Sequence, residues 1–139
     1  MNKKEMEAII PHRGNMLLLD AAHVTQEGLA EGFATIRGDE YFLDGHFPGN
    51  PTVPGVILCE MMAQTCAVLL GKEAEGATPY FSKIKDMIFK HKVIPGETVR
   101  FLCKIKRKMS NFFFATGEGY VEDTLCVKGE IVIALVQNG

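Results

Sequence analysis

The chain consists largely of apolar or alternating stretches of strand length, separated by short turns. Strands are predicted at residues 16–24, 29–37, 80–89, 98–108, 111–121 and 125–136. The first two flank the turn Gln26-Glu27-Gly28 and are expected to form a hairpin. Pro95-Gly96 and Glu122-Asp123 mark later turns. Successive strands joined by short turns predict an antiparallel sheet.

One segment has neither strand length nor alternation. Residues 56–70 are apolar nearly all round, so a helix formed by them must be surrounded by protein. Pro54-Gly55 predicts the helix start and Gly71 its end. The expected fold class is therefore α+β, with one buried helix wrapped by one curved antiparallel sheet.

Two further segments complete the pattern. Residues 3–10 predict a short amphipathic helix that ends before Pro11. Residues 39–55 hold three glycines and three prolines, which exclude regular structure, together with Phe42, Phe47 and Val53. A solvated linker has no need of these apolar side chains, so we expect an ordered loop pressed against the domain.

Composition narrows the class of protein. Apolar residues make up 47% and charged residues 23% of 139 residues, which predicts a single globular domain over residues 1–139. A net charge of −2 gives no sign of a nucleic-acid binder. Glu60 and Gln64 interrupt the longest apolar run, and the N-terminus lacks the pattern of a signal peptide, so a cytoplasmic protein without membrane insertion is expected.

The four cysteines carry no recognisable chemistry. Cys59, Cys66, Cys103 and Cys126 form no Cys-x-x-Cys pair and have no zinc-ligand spacing with a histidine. We expect reduced core residues, with neither a disulfide nor a bound metal.

Two polar residues of the predicted helix are unexpected in so apolar a segment. Buried carboxyl groups tend to hold a proton, so Glu60 is a candidate general acid. Gln64 lies one turn later on the same face, where its amide could orient the Glu60 carboxyl group. The alternative is that Glu60 points into solvent at the helix edge.

His46 and Gly55 lie just before and at the start of this helix. A neutral imidazole is an available base at cellular pH, although a lone histidine is more often structural. The N–H of Gly55, at the positive end of the helix dipole, could hold a carbonyl oxygen that becomes negative. A base, an oxyanion donor and an acid suit elimination of water from a 3-hydroxyacyl compound, but base–acid pairs also serve hydrolysis.

The segment from Gly45 to Gln64, GHFPGNPTVPGVILCEMMAQ, closely resembles the signature of bacterial 3-hydroxyacyl-[acyl-carrier-protein] dehydratases of the FabZ type. The likeness extends to Ile10-Pro11-His12-Arg13, to residues 89–97 and to residues 127–134. It departs at Gly14-Asn15, where many relatives have an aromatic residue and a proline, and at Met61, where a small residue is common.

The resemblance implies the hotdog fold and (3R)-3-hydroxyacyl thioesters as substrates, converted to trans-2-enoyl thioesters in fatty-acid elongation. It implies His46 and Glu60 as the catalytic pair, contributed by different subunits of a homodimer, with three dimers commonly forming a hexamer. Gly55 would bind the thioester carbonyl and Gln64 would support Glu60. Tyr80, Phe47 and Pro54 would line or gate an apolar acyl tunnel beneath the helix, and an ordinary strand aromatic is the alternative for Tyr80.

The resemblance also implies that no cofactor is needed beyond the phosphopantetheine arm of an acidic acyl carrier protein. Some of the basic residues concentrated in the second half of the chain could dock this partner, although any single one of them is more often an ordinary solvated side chain at a strand edge. They are Lys83, Lys85, Lys90, Lys92, Lys104, Lys106, Arg107 and Lys108.

Three rival functions remain at this point. A hotdog thioesterase would share the fold but would not need the His46-Phe47-Pro48 loop. An accessory dehydratase of polyketide or secondary-lipid synthesis would share the chemistry. A catalytically silent acyl-binding module is the third, although such relatives tend to lose the acid or the base. Glu60, rather than aspartate, argues weakly against double-bond isomerisation.

Overall fold

The computed structural model describes residues 1–138 apart from the side chain of Lys72, so that Gly139 of the predicted domain lies outside it. Six strands form one antiparallel sheet in the order β1-β2-β4-β5-β6-β3. Their bounds are β1 Ala21–Val24, β2 Ala30–Thr35, β3 Ala77–Phe89, β4 Thr98–Met109, β5 Phe112–Val121 and β6 Thr124–Gln137. A short helix α1, Lys3–Met6, precedes the first strand. The helix α2, Gly55–Ala67, lies between β2 and β3 in the chain and packs against the sheet.

The predicted α+β architecture is confirmed, and the four long strands agree with their predicted bounds within a few residues. The predicted hairpin of β1 and β2 is also present, with Ala21 opposite Phe33 and Val24 opposite Ala30. Strand β3 forms one edge of the sheet because it pairs only with β6 among the described strands.

The predicted strand at residues 16–24 is wrong in its first half. A 3₁₀ turn occupies Gly14–Met16, and the strand begins only at Ala21. The Met16 carbonyl and the Leu18 N–H are bonded to the side chain of Gln64, at 2.7 and 3.0 Å, instead of to a neighbouring strand. A side chain from the helix has therefore replaced the ladder hydrogen bonds.

Both predicted helices are too long. Helix α1 begins with a capping box between Asn2 and Glu5 but ends at Met6 and continues only as turns. Helix α2 ends at Ala67 and is followed by 3₁₀ structure, Val68–Ala74, in which Gly71 adopts a φ of 49°. Pro54 is the N-cap of α2, and Gly55 is its first residue.

The loop before α2 is anchored to the domain as expected, but it differs from the expectation in one short turn and in the position of one side chain. Val53 is buried and its N–H donates to the Val93 carbonyl at 2.9 Å. One 3₁₀ turn, Tyr41–Leu43, persists despite the glycines and prolines nearby. The expectation that Phe47 packs against the domain is wrong, since the side chain is 54% exposed.

The helix is buried over most of its length. Every residue from Leu58 to Ala67 is buried except Glu60. Its packing partners on β2 are the small residues Ala30, Gly32 and Ala34, which occupy the inward face of that strand. Val56, at the other end, is 74% exposed, so the chain alone does not surround the helix start.

The four cysteines are buried and unpaired, as expected of core residues. Burial raises the pKa of the Cys59, Cys103 and Cys126 thiols. Within residues 1–138, no helix is long and apolar enough to cross a bilayer.

The close approach of α2 to β2 generates a test. A Cβ on Gly32 would overlap Oγ1 of Thr65, a buried residue whose hydroxyl donates to the Met61 carbonyl. We expect Gly32→Ala to lower the free energy of unfolding by about 1–3 kcal/mol, because the stiff Thr65 side chain cannot move aside.

Urea denaturation of Gly32→Ala, Thr65→Ala and the double variant measures this effect. Thr65→Ala removes the obstructing atoms, so the double variant should lose less stability than the sum of the single losses. Additive losses would show that the contact between the two residues is not the cause.

Candidate active site

Glu60 lies in the middle of α2 and is the only charged residue of that helix. Its Oε2 accepts a hydrogen bond from Nε2 of Gln64 at 2.9 Å, as the helical spacing predicted. Its side chain is 21% exposed, so the carboxyl group is partly buried. This lies between the two alternatives considered from the sequence, which were a buried carboxyl group and one that points into solvent. Helix and sheet therefore cover most of this group but leave it accessible.

Gln64 is fully buried and makes three hydrogen bonds. Besides Glu60, its amide nitrogen donates to the Met16 carbonyl and its oxygen accepts from the Leu18 N–H. The residue therefore supports Glu60 as predicted, and it also fastens the segment before β1 to the helix. No pattern in the sequence indicated this second role.

His46 lies in the loop before α2 and is partly buried. Its Nδ1 is 2.9 Å from the Thr52 carbonyl oxygen, and its ring stacks on Phe47 with centroids 4.1 Å apart. A carbonyl oxygen can only accept, so Nδ1 carries the proton of the neutral ring. The lone pair is then on Nε2, which is the form a general base requires.

Gly55 begins α2, and its N–H has no hydrogen-bond partner among the described residues. It is therefore free to bind a ligand oxygen at the positive end of the helix dipole. A Cβ here would lie 2.9 Å from Cε1 of Phe89. Packing of the Phe89 ring therefore gives a further reason for glycine at this position, one that the sequence had not suggested.

A small cavity of about 30 Å³ adjoins Glu60, which is room for about one water molecule. It is lined by His12, Glu60, Ala63, Ala67, Pro79, Tyr80, Phe81 and Ile133. Tyr80, 56% exposed, lies at this cavity, whereas Phe47 and Pro54 do not line it. Of the three residues predicted to line or gate the acyl tunnel, only Tyr80 lies at this cavity, and the other two lie in the loop before α2.

Within one chain, the predicted catalytic pair is not brought together. No hydrogen bond or ion pair of the described residues joins His46 to Glu60, and His46 is not among the residues lining the cavity. The histidine beside Glu60 is His12, with Nε2 at 3.3 Å from Oε2. The sequence motif around His12 was visible, but nothing in the spacing of residues 12 and 60 indicated contact.

No group of three or more potential metal ligands occurs among the His, Cys, Asp and Glu residues that the structure describes. The residues of the site can perform acid–base chemistry. They offer a free imidazole nitrogen, a free backbone N–H at a helix start and an accessible carboxyl group.

The buried amide of Gln64 generates a second test. We expect Gln64→Leu to lower the free energy of unfolding by about 1–3 kcal/mol, because the Leu18 N–H and the Met16 carbonyl lose their partner. Chemical denaturation measures the loss. Gln26→Leu makes the same change at an exposed turn and should alter stability by less than about 0.5 kcal/mol. Equal effects of the two variants would contradict the role assigned to Gln64.

Comparison with known proteins places this geometry in a family. Residues 10–130 match the family model of the FabA-like domain. A 3-hydroxyacyl-[acyl-carrier-protein] dehydratase FabZ of Petrotoga mobilis is 36% identical over 99% of this chain and 100% of its own length. A protein of the same description from Thermomicrobium roseum is 38% identical over 95% of this chain and 91% of its own.

Solved structures agree on the fold. A chain of the dehydratase heterocomplex ApeI:P from Xenorhabdus doucetiae superposes with a TM-score of 0.78 at 21% identity, covering 93% of this chain and 89% of its own. A probable thioesterase from Bartonella henselae gives 0.61 at 16% identity, covering 85% and 92%. At such identities the likeness concerns the hotdog fold alone, whereas the sequence relatives identify the family. The chain is a member of the FabA-like family and, within it, of the FabZ-type 3-hydroxyacyl-[acyl-carrier-protein] dehydratases.

Proposed function

We propose that the protein eliminates water from (3R)-3-hydroxyacyl groups carried on acyl carrier protein, giving trans-2-enoyl thioesters during fatty-acid synthesis. The observation that carries the proposal is the hydrogen-bonded state of two groups, His46 and Glu60, that a second copy of the chain could bring together. In the neutral ring of His46 the proton is on Nδ1, which is bonded to the Thr52 carbonyl, so the lone pair is on Nε2, and Glu60 presents a carboxyl group held by Gln64.

The chemical roles follow from these states. Nε2 of His46 removes a proton from the carbon next to the thioester carbonyl. The Gly55 N–H donates to the carbonyl oxygen as it gains negative charge. The Glu60 carboxyl group donates its proton to the departing 3-hydroxyl, which leaves as water. We propose that these steps use only the chain's own residues, with no metal or redox cofactor.

The active site is proposed to be shared between two copies of the chain. In one copy, Glu60 contacts His12 and not His46, so a second copy would have to bring its His46 to Glu60. Strand β3 offers the surface, because this sheet edge is mostly exposed and carries apolar side chains. Those at least 38% exposed are Tyr80, Phe81, Ile84, Ile88 and Phe89. A long apolar edge requires a partner to avoid uncontrolled association.

The acyl chain would then lie at the same interface. The cavity beside Glu60 holds about one water molecule, which is too little for an acyl chain. We infer that a second copy, with movement of Tyr80, completes the tunnel. Three such dimers forming a hexamer remain an expectation of the family resemblance.

We propose that the carrier protein docks on some of the basic residues in the second half of the chain. Lys83, Lys85, Lys106 and Arg107 line one surface depression with Phe114 and Val132. Lys106 is partly neutralised by Glu130, and Lys108 by Glu73, at 3.3 Å each. Lys83, Lys85 and Arg107 therefore offer the better attraction for an acidic partner.

Absorbance of the conjugated enoyl product tests the reaction. With a (3R)-3-hydroxyacyl thioester, we expect His46→Ala and Glu60→Gln each to lower kcat by about 10²- to 10⁴-fold, because each removes a general acid or base. His91→Ala, at an exposed histidine, serves as the control and should retain full activity.

A thiol reagent in the same assay separates the thioesterase alternative. The chain's own thiols are buried, so they should contribute little signal. Free thiol released without enoyl product would overturn the dehydratase assignment and the role of His46. If neither enoyl product nor free thiol forms, the protein is a catalytically silent acyl-binding protein.

Mixed dimers test the shared site. Co-expression of His46→Ala and Glu60→Gln chains should restore about one quarter of wild-type activity, because half of randomly paired two-fold dimers are mixed and each contains one intact site of two. Each variant alone provides the baseline. Activity that stays at this baseline in dimers shown to be mixed would place both residues of a site in one chain.

A further inference from the structure

His12 occupies a position beside Glu60 that the proposed reaction does not yet use. Its Nε2 is 3.3 Å from Oε2 of Glu60, the same oxygen that accepts the Gln64 amide hydrogen at 2.9 Å. The side chains of both His12 and Glu60 are about four-fifths buried, at 20% and 21% exposed. Two nitrogens therefore converge on one carboxyl oxygen in a largely dry environment.

The backbone of this segment is held independently of Glu60. The guanidinium of Arg13 donates to the carbonyl oxygens of Glu7, Ile10 and His12 at 2.7–2.8 Å. Gln64 binds Met16 and Leu18 a few residues later. The backbone of His12 is thus held between two anchored points that do not involve Glu60.

The other ring nitrogen of His12 decides where its proton lies. Nδ1 is the only fully buried side-chain nitrogen or oxygen atom of the described residues that lacks a hydrogen-bond partner. A proton on Nδ1 would be a buried donor without an acceptor, which is more costly than a bare lone pair beside apolar atoms. The neutral ring therefore carries its proton on Nε2, the ring nitrogen that lies 3.3 Å from Oε2 of Glu60.

The two oxygens of Glu60 then differ. Oε1 has no hydrogen-bond partner among residues 1–138 and is not one of their fully buried polar atoms, so solvent or substrate can reach it. Oε2 accepts the Gln64 amide hydrogen and lies 3.3 Å from Nε2 of His12. A carboxyl oxygen has two lone-pair positions, so one that accepts two N–H donors has none left for a proton.

We propose that His12 is a positioning residue for Glu60: its Nε2–H and the Gln64 amide both donate to Oε2, so that the catalytic proton is carried on Oε1. In the substrate-free chain this 3.3 Å contact is longer and less well aligned than a hydrogen bond. Such contacts commonly shorten when substrate binds. The inference rests on the proposed general-acid role of Glu60.

Activity measurements on two variants separate positioning from structure. His12→Met fills the space without a donor, whereas His12→Gln places an amide N–H near the position of Nε2. We expect His12→Met to lower kcat by about 10- to 100-fold with little change in KM, because the carboxyl group loses its orientation. His12→Gln should recover most of this loss.

His23→Met is the matched control, since His23 contacts Glu31 at 3.0 Å on an exposed part of the sheet. It should leave kcat unchanged. Unchanged kcat in His12→Met, or an equal loss in His12→Gln, would overturn the proposal.

Nitrogen NMR of ¹⁵N-histidine-labelled protein provides a readout that does not require turnover. The His12 signals, assigned by their loss in His12→Gln, should show the neutral ring with its proton on Nε2. A proton on Nδ1, or rapid exchange between the two forms as at an exposed histidine, would refute the assigned geometry. If the wild type makes no enoyl product but the Nε2–H form is observed, the proposed reaction fails while the His12–Glu60 contact stands.

Discussion

The hydrogen bonds of the buried Gln64 amide hold the site together. This side chain joins the middle of α2 to Met16 and Leu18, and it holds Glu60 at the same time. An amide buried in an apolar helix is costly unless its donors and acceptor are satisfied. The need to satisfy Gln64 therefore fixes the path of the N-terminal segment, which in turn brings His12 to the Glu60 carboxyl group.

The sheet contributes by approaching the helix closely. Ala30, Gly32 and Ala34 on β2, and Gly117 on β5, leave room for the side chains of Thr65 and Met62. The helix is consequently held by rigid packing rather than by loops, which keeps Glu60 in place. His46, by contrast, is on a loop whose position depends on local bonds to Thr52 and Leu43. The proposed acid, Glu60, is thus held by core packing, whereas the proposed base, His46, is held by the hydrogen bonds of a loop.

This division suits a site completed by a second copy. A group on the rigid helix can receive a partner's loop, provided that the surface between them is apolar and exposed in the single chain. Val56 at the helix start and the edge strand β3 have this character. Exposed apolar side chains of this kind do not stabilise an isolated subunit. Their burial against a second copy would contribute hydrophobic free energy to association.

The sequence alone determined the fold class, the long strands, the central helix and the contact between Glu60 and Gln64. These depend on local periodicity, on turn residues and on helical spacing, which are all properties of neighbouring positions. Only the tertiary structure decided that residues 17–19 are not a strand and that His12 lies against Glu60. It also decided that Gly55 is packed by Phe89. Each of these contacts joins residues more than thirty positions apart, and no local pattern records which distant side chain will satisfy a backbone group or fill a space.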